Sequence, residues 1–240
     1  MSGSGVDITA KGNMQITKIG MCVAMDKEVA PFLKKQASDI TTETVGAFKI
    51  YSFKIKNKSV YLVRSGIGEI YAAAAVQTLI VKYGVEVILN FGVCGSLVKS
   101  VAVFDAVLVD SVVHYDFDLS TIDGVPVGQY PGFDSPVMKT DESLIKLVEA
   151  LAPIKKVTCA SADKFVADPK IKAELHQKFG ASVCDMECAA VFLTASGAGV
   201  PVLIIKAVSD GEGGADEFKR RVKSAGKVYI DTVDALIEKL

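Results

Sequence analysis

Short runs of apolar residues alternate with amphipathic segments along most of this chain. In the strand-like runs polar residues are either absent or alternate with apolar residues, as expected for strands buried on both faces or on one face. The helix-like segments are longer. The strand-like segments are 18–25, 48–54, 60–63, 85–90, 106–113 and 157–159, and the helix-like segments are 71–83, 141–151 and 169–179. Strands that alternate with helices predict a single α/β domain with a mostly parallel or mixed sheet.

The segment 182–210 combines this pattern with candidate functional residues. It holds two strand-like runs separated by a helix-like run, and acidic residues stand where each strand ends. Asp185 and Glu187 follow the first strand, and Asp210 ends the second. Because ligands of open α/β sheets bind at the carboxyl ends of the strands, the pattern predicts a site that contains these carboxylates.

Several stretches have neither pattern and are predicted to be turns or loops. Gly92–Gly95 follows a strand with the spacing of a turn, and Gly211–Gly214 is expected to be flexible. The stretch 114–139 is long and rich in proline and glycine, which indicates a functional loop or a partner contact. Apolar residues at three- and four-residue steps from Phe218 to Leu240 predict one closing helix that packs on the sheet.

Length and composition limit the class of protein. The 240 residues fit one large domain, and 50% of them are hydrophobic, which allows a large core. A net charge of −1 with scattered lysines and arginines argues against a nucleic-acid partner, and no apolar run approaches the roughly 18 residues of a membrane span. Residues 1–13 are small, polar and patternless, so we interpret them as an expression leader and 14–240 as the domain.

The cysteines indicate the compartment. Five cysteines show no CxxC spacing, and most of them lie in apolar runs. Such cysteines usually behave as small buried hydrophobes in a reducing environment. The sequence therefore predicts a cytoplasmic protein.

A third acidic residue, Glu28, follows the first strand. Taken singly, Glu28, Glu187 and Asp210 are each explained by a helix cap or a turn, where acids are common. Three acids at three strand ends are harder to explain in that way, since those ends converge. We therefore treat these three residues as candidates for one site.

The composition narrows the chemistry of that site. His114 and His176 are the only histidines and neither lies near the acids, which argues against a Ser-His-Asp arrangement or a histidine-ligated metal. Two uses of converging carboxylates stay open: binding of Mg²⁺ or Ca²⁺, and cleavage of a glycosidic bond. Lys206 interrupts an apolar strand, so it either points outward at a sheet edge or meets a carboxylate, for which Glu28 is a candidate.

A series of motifs resembles the bacterial methylthioadenosine/S-adenosylhomocysteine nucleosidases, within the purine nucleoside phosphorylase and uridine phosphorylase superfamily. The resemblance covers essentially all of 14–240, and its most specific parts are the CDMECAAV and IIKAVSD segments. In chain order the motifs are MDKEV, SGIGEIYAA, GVCGSL, HYDFD, GQYPGF, SADKFV, CDMECAAV and IIKAVSD. The resemblance implies a single α/β domain around a central mixed, barrel-like sheet flanked by helices in three layers.

The resemblance also implies roles for individual residues in a hydrolase that cleaves the N-glycosidic bond of a purine nucleoside. Asp210 would protonate N7 of the purine with Ser209 orienting it, and Glu28 would position and deprotonate the attacking water. Glu187 and Met186 would grip the ribose hydroxyls. Phe165 would stack on the base, and the backbone of Val166 would read its edge. The remaining substrate-binding candidates are Met25, Gly92, Val93 and Lys206.

The nucleophile separates hydrolases from phosphorylases of this fold. Phosphorylases keep an arginine and a serine at positions that correspond here to Asn90 and Val93, and phosphate without paired arginine donors would be poorly held. Arg64 supplies one cation at most, and Glu28 would repel phosphate. Hydrolysis is therefore expected, with a phosphate-dependent phosphorylase or a non-catalytic nucleoside-binding protein as the alternatives.

Departures from the family pattern leave cleavage better supported than a preference for a 5′ alkylthio group, because Leu119, Ile122 and Gly124 stand where the family's long loop supplies aromatic residues to a neighbour's 5′ pocket. Phe91 and Val93 stand where the hydrolases have serine or threonine, and Lys206 stands where arginine is usual. The resemblance implies methylthioadenosine and S-adenosylhomocysteine as substrates, with neither a cofactor nor a metal. It also implies a homodimer in which 114–139 meets the neighbouring subunit.

Overall fold

The computed structural model describes residues 16–36 and 39–240. The expected leader, residues 1–13, lies outside the described residues. Within the described part, no helix has both the length and the apolar composition needed to cross a membrane.

Strands and helices alternate as the apolar pattern predicts. The strands are β1 (Lys18–Val23), β2 (Thr41–Val45), β3 (Phe48–Ile55), β4 (Lys58–Arg64), β5 (Val87–Ser96), β6 (Ala106–His114), β7 (Met138–Lys139), β8 (Lys155–Ser161), β9 (Val183–Asp185) and β10 (Val202–Asp210). The helices are α1 (Asp26–Lys35), α2 (Glu69–Thr78, continued by a π-helical segment Leu79–Tyr83), α3 (Ser120–Asp123), α4 (Glu142–Glu149), α5 (Pro169–Phe179), α6 (Cys188–Gly197), α7 (Gly214–Ala225) and α8 (Ile230–Lys239).

Part of the sheet closes on itself. The pairing order is β10-β6-β8-β9-β5-β1-β4-β3-β2, and β10 also pairs with β5, so β5, β10, β6, β8 and β9 form a ring of five strands. Pairing is parallel between β5 and β10 and antiparallel between β5 and β9. The expected mixed, barrel-like sheet is confirmed.

Apolar residues fill the space on both sides of the sheet. One cluster joins the sheet to α1, α4, α7 and α8, and a second joins it to α2 and α6. The two clusters give the three-layer arrangement that the sequence predicts. In the first cluster the ring of Phe91 lies 5.5 Å from that of Phe32 and 5.1 Å from that of Tyr229, measured between centroids. Phe91, a departure from the family pattern, is thus a core residue that joins β5 to α1 and to the start of α8.

Two expectations about local structure are wrong. Gly92–Gly95 is not a turn but part of β5, where Phe91–Cys94 pairs in parallel with Ile205–Val208 of β10. The closing segment is not one helix but two, because α7 ends at Gly226 and the chain turns before α8 begins. Strand β2, which the sequence pattern did not indicate, is short and mostly exposed, so its residues carry little apolar signal.

A buried ion pair lies inside the sheet. Nζ of Lys206 on β10 is 2.8 Å from Oδ2 of Asp185 at the end of β9, and both side chains are 2% exposed. Lys206 therefore points inward, and its ion-pair partner is Asp185, not Glu28 as the sequence suggested. The Lys206 ammonium keeps the pKa of Asp185 below its usual value although burial acts to raise it. This pair allows a carboxylate and an ammonium to occupy an otherwise apolar interior.

We predict that Lys206→Met destabilises the protein strongly, because it leaves the Asp185 carboxylate buried without its cation. The expected loss is about 3–5 kcal/mol in the free energy of unfolding, measured by chemical denaturation. Lys156→Met removes one partner of the pair with Glu149, whose side chains are 47% and 40% exposed, and is the matched control with an expected loss under about 1 kcal/mol. An equally small loss for Lys206→Met would contradict the role of the buried pair.

Candidate active site

A cavity of about 260 Å³ opens at the carboxyl ends of β1, β5, β9 and β10. Its wall brings together eight of the predicted site residues, which come from separate parts of the chain. These are Met25, Glu28, Val93, Phe165, Met186, Glu187, Ser209 and Asp210. Three acids at three strand ends therefore share one cavity, as expected from the convergence of the strands.

Glu28 is fixed by backbone donors on both carboxylate oxygens. Its Oε2 accepts a hydrogen bond from the N–H of Met25 at 2.9 Å, which caps α1, and its Oε1 accepts one from the N–H of Val93 at 2.7 Å. Glu28 is thus both a helix cap and a cavity residue. It is 2% exposed, and burial raises the pKa of its carboxyl. A carboxylate with a raised pKa is a better proton acceptor than an exposed glutamate.

Glycine at position 92 makes this placement of Glu28 possible. A Cβ atom built at Gly92 would lie 2.7 Å from Oε1 of Glu28, closer than such atoms approach in real proteins. Gly92 therefore lies behind Glu28 and does not line the cavity. The substrate-binding role expected for Gly92 from the sequence stays a prediction, whereas its contact with Glu28 follows from the geometry.

Glu187 lies between β9 and α6 and is held by a backbone donor from another segment. Its Oε1 accepts a hydrogen bond from the N–H of Gly68 at 2.9 Å. Burial, reinforced by the nearby negative charge of Asp185, raises the pKa of Glu187 to about 7. The backbone of Gly68 has φ of +102°, a conformation that favours glycine. The backbone before α2 thus comes close enough to Glu187 for its N–H to bind the carboxylate.

Asp210 ends β10 with one oxygen held by its neighbour. Oγ of Ser209 lies 2.9 Å from Oδ1 of Asp210 and 3.2 Å from the carbonyl oxygen of Cys94, so the hydroxyl links the acid to β5. Burial raises the pKa of Asp210. A Cβ atom at Gly95 would lie 3.1 Å from Oδ2, so a glycine again leaves room for an acid. The expected pairing of Ser209 with Asp210 is present.

Apolar side chains line the cavity beside the acids, and we call this part of the lining the apolar wall. Phe165 is 42% exposed, and its ring packs edge-on against Phe218 with centroids 5.5 Å apart. Met25, Met186 and Ile67 complete this wall. Aromatic and thioether groups in one cavity with three carboxylates suit a ligand that has both a flat ring and hydroxyls.

Two other predicted binding residues lie outside the cavity wall. Lys206 is not among the lining residues, although its partner Asp185 is a fourth acid on the cavity wall. The side chain of Val166 is buried in a small cluster with Leu175, Ala181 and Cys184. Only the backbone of Val166 could face a ligand, which is the contact that the sequence predicts for it.

Lys172 is a residue of the site region that sequence reasoning missed. It lies on α5, is 5% exposed, and its Nζ is 3.6 Å from Oδ2 of Asp210. A signal was present, because Lys172 and Leu175 are three positions apart and share the buried face of α5. A lysine on the buried face of a helix needs a partner.

One group of residues has the spacing of metal ligands but a chemistry that does not suit them. One ligand atom each of Cys159, Asp185 and Cys188 lies within 4.8 Å of the others. The carboxylate of Asp185 is already paired with Lys206, and burial raises the pKa of both thiols. Thiols that stay protonated are poor ligands, so this group is better explained as part of the packing around the ion pair.

Known proteins are similar to this chain in sequence and in fold. A model of the phosphorylase superfamily matches residues 18–238. A 5′-methylthioadenosine/S-adenosylhomocysteine nucleosidase from Staphylococcus haemolyticus is 32% identical over 230 residues, covering 92% of this chain and 100% of the relative. An aminodeoxyfutalosine nucleosidase from Campylobacter jejuni is 30% identical over 230 residues, covering 93% of this chain and 99% of the relative.

A solved structure agrees with these relatives. The Helicobacter pylori 5′-methylthioadenosine/S-adenosylhomocysteine nucleosidase, complexed with a pyrrolidin-3-ol that carries an amino-pyrrolopyrimidine, superposes with a TM-score of 0.90 at 27% identity. The match covers 95% of this chain and 100% of that one. The family match spans nearly the whole described chain, and the sequence relatives and the fold indicate the same family. The chain therefore belongs to the phosphorylase superfamily.

Proposed function

We propose that this protein is a hydrolase that cleaves the N-glycosidic bond of a purine nucleoside. The observation that carries the proposal is the convergence of three buried carboxylates, Glu28, Glu187 and Asp210, on one cavity that is otherwise lined mainly by apolar side chains. Paired carboxylates are the usual apparatus of glycosidic cleavage, with one group donating a proton and another handling water. The nucleosidases among the relatives support the same reaction class.

Asp210 is the proposed general acid. Burial raises the pKa of its carboxyl, which increases the protonated fraction available for donation near neutral pH. The proton passes to N7 of the purine while the C1′–N9 bond breaks and its electron pair moves into the base. A protonated purine is the better leaving group because it departs without a negative charge. Ser209 keeps the carboxyl oriented during this step.

Glu187 is the proposed ligand of the ribose. A carboxylate at this place accepts hydrogen bonds from sugar hydroxyls and faces the positive charge that develops on the sugar in the transition state. The N–H of Gly68 holds Oε1, which limits the rotation of the side chain. Met186 lies beside it on the cavity wall and completes the sugar subsite.

Glu28 is the proposed base for the attacking water. The water oxygen bonds to C1′, and the water proton passes to the Glu28 carboxylate. The products are the free purine and a sugar with a hydroxyl at C1′, so one water is consumed for each bond broken. The two backbone hydrogen bonds from Met25 and Val93 fix the base before the substrate arrives, which lowers the cost of orienting it.

The purine would lie against the apolar wall. Phe165 offers a partly exposed ring for stacking, and the backbone of Val166 follows it directly. Stacking on a ring is tolerant of ligand identity, whereas a backbone donor or acceptor distinguishes one purine edge from another. Met25 and Val93 supply further contacts on the wall.

Water is favoured over phosphate as the nucleophile because the groups that could bind phosphate already have other partners. The N–H of Val93 already donates to Glu28, and the side-chain amide of Asn90 donates to the carbonyl of Cys22 at 2.9 Å. Nε of Arg64 lies 3.2 Å from Oδ1 of Asp26, with which it forms an ion pair. A phosphate would have to displace a carboxylate from a backbone donor and would meet no matched pair of arginines.

The proposed substrates are nucleosides with a purine and a modified 5′ group, because the names of the relatives describe such nucleosides. Methylthioadenosine and S-adenosylhomocysteine follow from the Staphylococcus relative, and aminodeoxyfutalosine from the Campylobacter relative. All five cysteines are buried and free, which supports work in the reducing cytoplasm.

A test in phosphate-free buffer separates the three candidate functions. We expect the wild-type protein to release the free purine and a sugar with a C1′ hydroxyl from at least one of methylthioadenosine, S-adenosylhomocysteine and aminodeoxyfutalosine. Strict dependence on phosphate with a sugar 1-phosphate product would establish the phosphorylase, and tight binding of the nucleosides without turnover would establish a binding protein.

The same assay with Asp210→Asn tests the acid. Asparagine keeps the shape of the side chain but cannot donate the proton, so kcat should fall by about 10²–10⁴-fold. Asp168→Asn, which changes an exposed aspartate at the start of α5, is the control and should leave kcat unchanged. A near wild-type rate for Asp210→Asn would remove Asp210 from the mechanism.

The pKa of about 7 at Glu187 predicts a pH dependence of substrate capture. A group with a raised pKa becomes protonated as the pH falls through that value, and protonated Glu187 can no longer accept two sugar hydrogen bonds. We therefore expect kcat/KM to fall by about tenfold per pH unit below pH 7, since this ratio reports the free enzyme. Glu187→Gln should lower kcat/KM and remove this limb, whereas Glu174→Gln on the exposed face of α5 should keep it. An unchanged limb in Glu187→Gln would assign it to another group.

We further propose a homodimer formed around the exposed apolar side chains beside the cavity. Ile67, Ile70 and Tyr71 are 55%, 79% and 54% exposed, and Ile122 on the 114–139 loop is 77% exposed. Exposed apolar side chains close together, such as the three around the start of α2, mark contact surfaces, and the 114–139 loop adds another exposed apolar side chain. Sedimentation should give twice the chain mass of 25.4 kDa for the wild type and for Val228→Glu, and the monomer mass for Ile70→Glu. A monomeric wild type would contradict the dimer.

A further inference from the structure

Lys172 is a buried cation beside the proposed acid, and the mechanism above assigns it no role. It belongs to α5, a helix that contributes no acid to the site, and its side chain is 7% exposed. Burying an ammonium costs several kcal/mol unless it meets a partner. The Lys172 ammonium therefore needs a partner in its buried position.

The Lys172 amine is anchored in the turn that follows Asp210. Its Nζ donates a hydrogen bond to the carbonyl oxygen of Gly211 at 2.6 Å and lies 3.6 Å from Oδ2 of Asp210. Ser209 contacts the other oxygen, Oδ1. The carboxyl group of Asp210 is thus held from two sides, by a neutral hydroxyl and by a positive charge that the backbone keeps in place.

The other ionisable groups that face Asp210 do not supply a positive charge. Glu217 of α7 accepts a hydrogen bond from the N–H of Gly211 at 2.7 Å and is paired with Arg221 at 3.2 Å. The thiol of Cys184 on β9 is buried, which raises its pKa to about 12 and keeps it neutral. Among the described groups that act on Asp210, Lys172 is the cation.

The positive charge of Lys172 acts on Asp210 when the proton is transferred. When Asp210 gives its proton to the purine, the carboxyl becomes a carboxylate inside a buried site, where an isolated anion is costly. A fixed ammonium near Oδ2 stabilises that anion and has much less effect on the neutral acid. An interaction that is stronger after charge has developed lowers the barrier, because it favours the transition state over the ground state.

We propose that Lys172 is a positioning residue for the acid, which holds Asp210 and stabilises the carboxylate left when its proton moves to the substrate. The proposal rests on the proposed function, since it needs Asp210 to be the proton donor. Lys172 itself neither touches the substrate nor exchanges a proton. A lysine that served only to tie the turn at Gly211 would have no effect on when Asp210 ionises.

The test is the pH dependence of kcat for Lys172→Met. The acid must be protonated to work, so kcat falls at high pH as Asp210 ionises in the bound complex. Loss of the cation destabilises the carboxylate and raises its pKa, so the high-pH limb should move upward by about one unit. At the optimum, kcat should fall by about tenfold, because the acid has become a weaker donor.

Three further variants make the outcome decisive. Lys172→Arg keeps the positive charge and should retain the wild-type limb, and Lys172→Gln removes the charge while offering an N–H to Gly211. Lys170→Met, an exposed lysine on the same helix, is the control for a change of charge on α5. If Lys172→Met does not fold, Lys172→Gln carries the test.

The results separate this proposal from the proposed function. A lower kcat with an unmoved limb in the charge-removing variants would overturn the role of Lys172 and leave a structural tie. A shifted limb in Lys172→Gln with a wild-type limb in Lys172→Arg supports it. A near wild-type rate for Asp210→Asn would instead overturn the acid assignment, and with it both proposals.

Discussion

The parallel pairing of β5 with β10 is the constraint on which the site depends. It closes five strands into a ring and brings the end of β10 against Val93–Gly95 of β5. Asp210 thereby reaches the same cavity as Glu28, whose helix is tied to β5 through the N–H of Val93. The acids are buried where these strands meet, and this burial raises the pKa of each of them.

Burial acts to raise the pKa of all four acids on the cavity wall, and Lys206 reverses this effect at Asp185. Glu28, Glu187 and Asp210 face the cavity, and desolvation raises the pKa of each. Asp185 is as deeply buried, yet its pKa is lowered because Lys206 lies 2.8 Å away. The molecule thus keeps one carboxylate ionised for structure and raises the pKa of the other three, which favours their protonated forms. Electrostatic environment, and not residue type, divides these four acids between the two tasks.

The sequence was sufficient for most of the buried strands and for the acids, and insufficient for the exposed strand β2, for the break between α7 and α8 and for contacts between distant segments. Apolar runs mark the buried strands, and acids at strand ends mark the site, because both signals are local. The partner of Lys206 could not be read in that way, since the choice of Asp185 over Glu28 depends on how β9 and β10 lie in the ring. The role of Gly68 was hidden for a similar reason, since a backbone N–H carries no side-chain signature. Gly92–Gly95 suggested a turn because glycine is common in turns, whereas these glycines lie in a strand to leave room for acids.

The glycines of β5 also decide where the binding site could be remodelled. A single methyl group at Gly92 would meet Glu28 at 2.7 Å, and one at Gly95 would meet Asp210 at 3.1 Å. The acidic side of the cavity therefore has little spare room, and a larger residue at either glycine would displace Glu28 or Asp210. The apolar wall, formed by Met25, Phe165 and Met186, has no such restriction, since its side chains are adaptable and touch no acid through a fixed hydrogen bond of their side chains. A change of substrate range would accordingly be introduced from the apolar wall, with the reaction centre carried over intact.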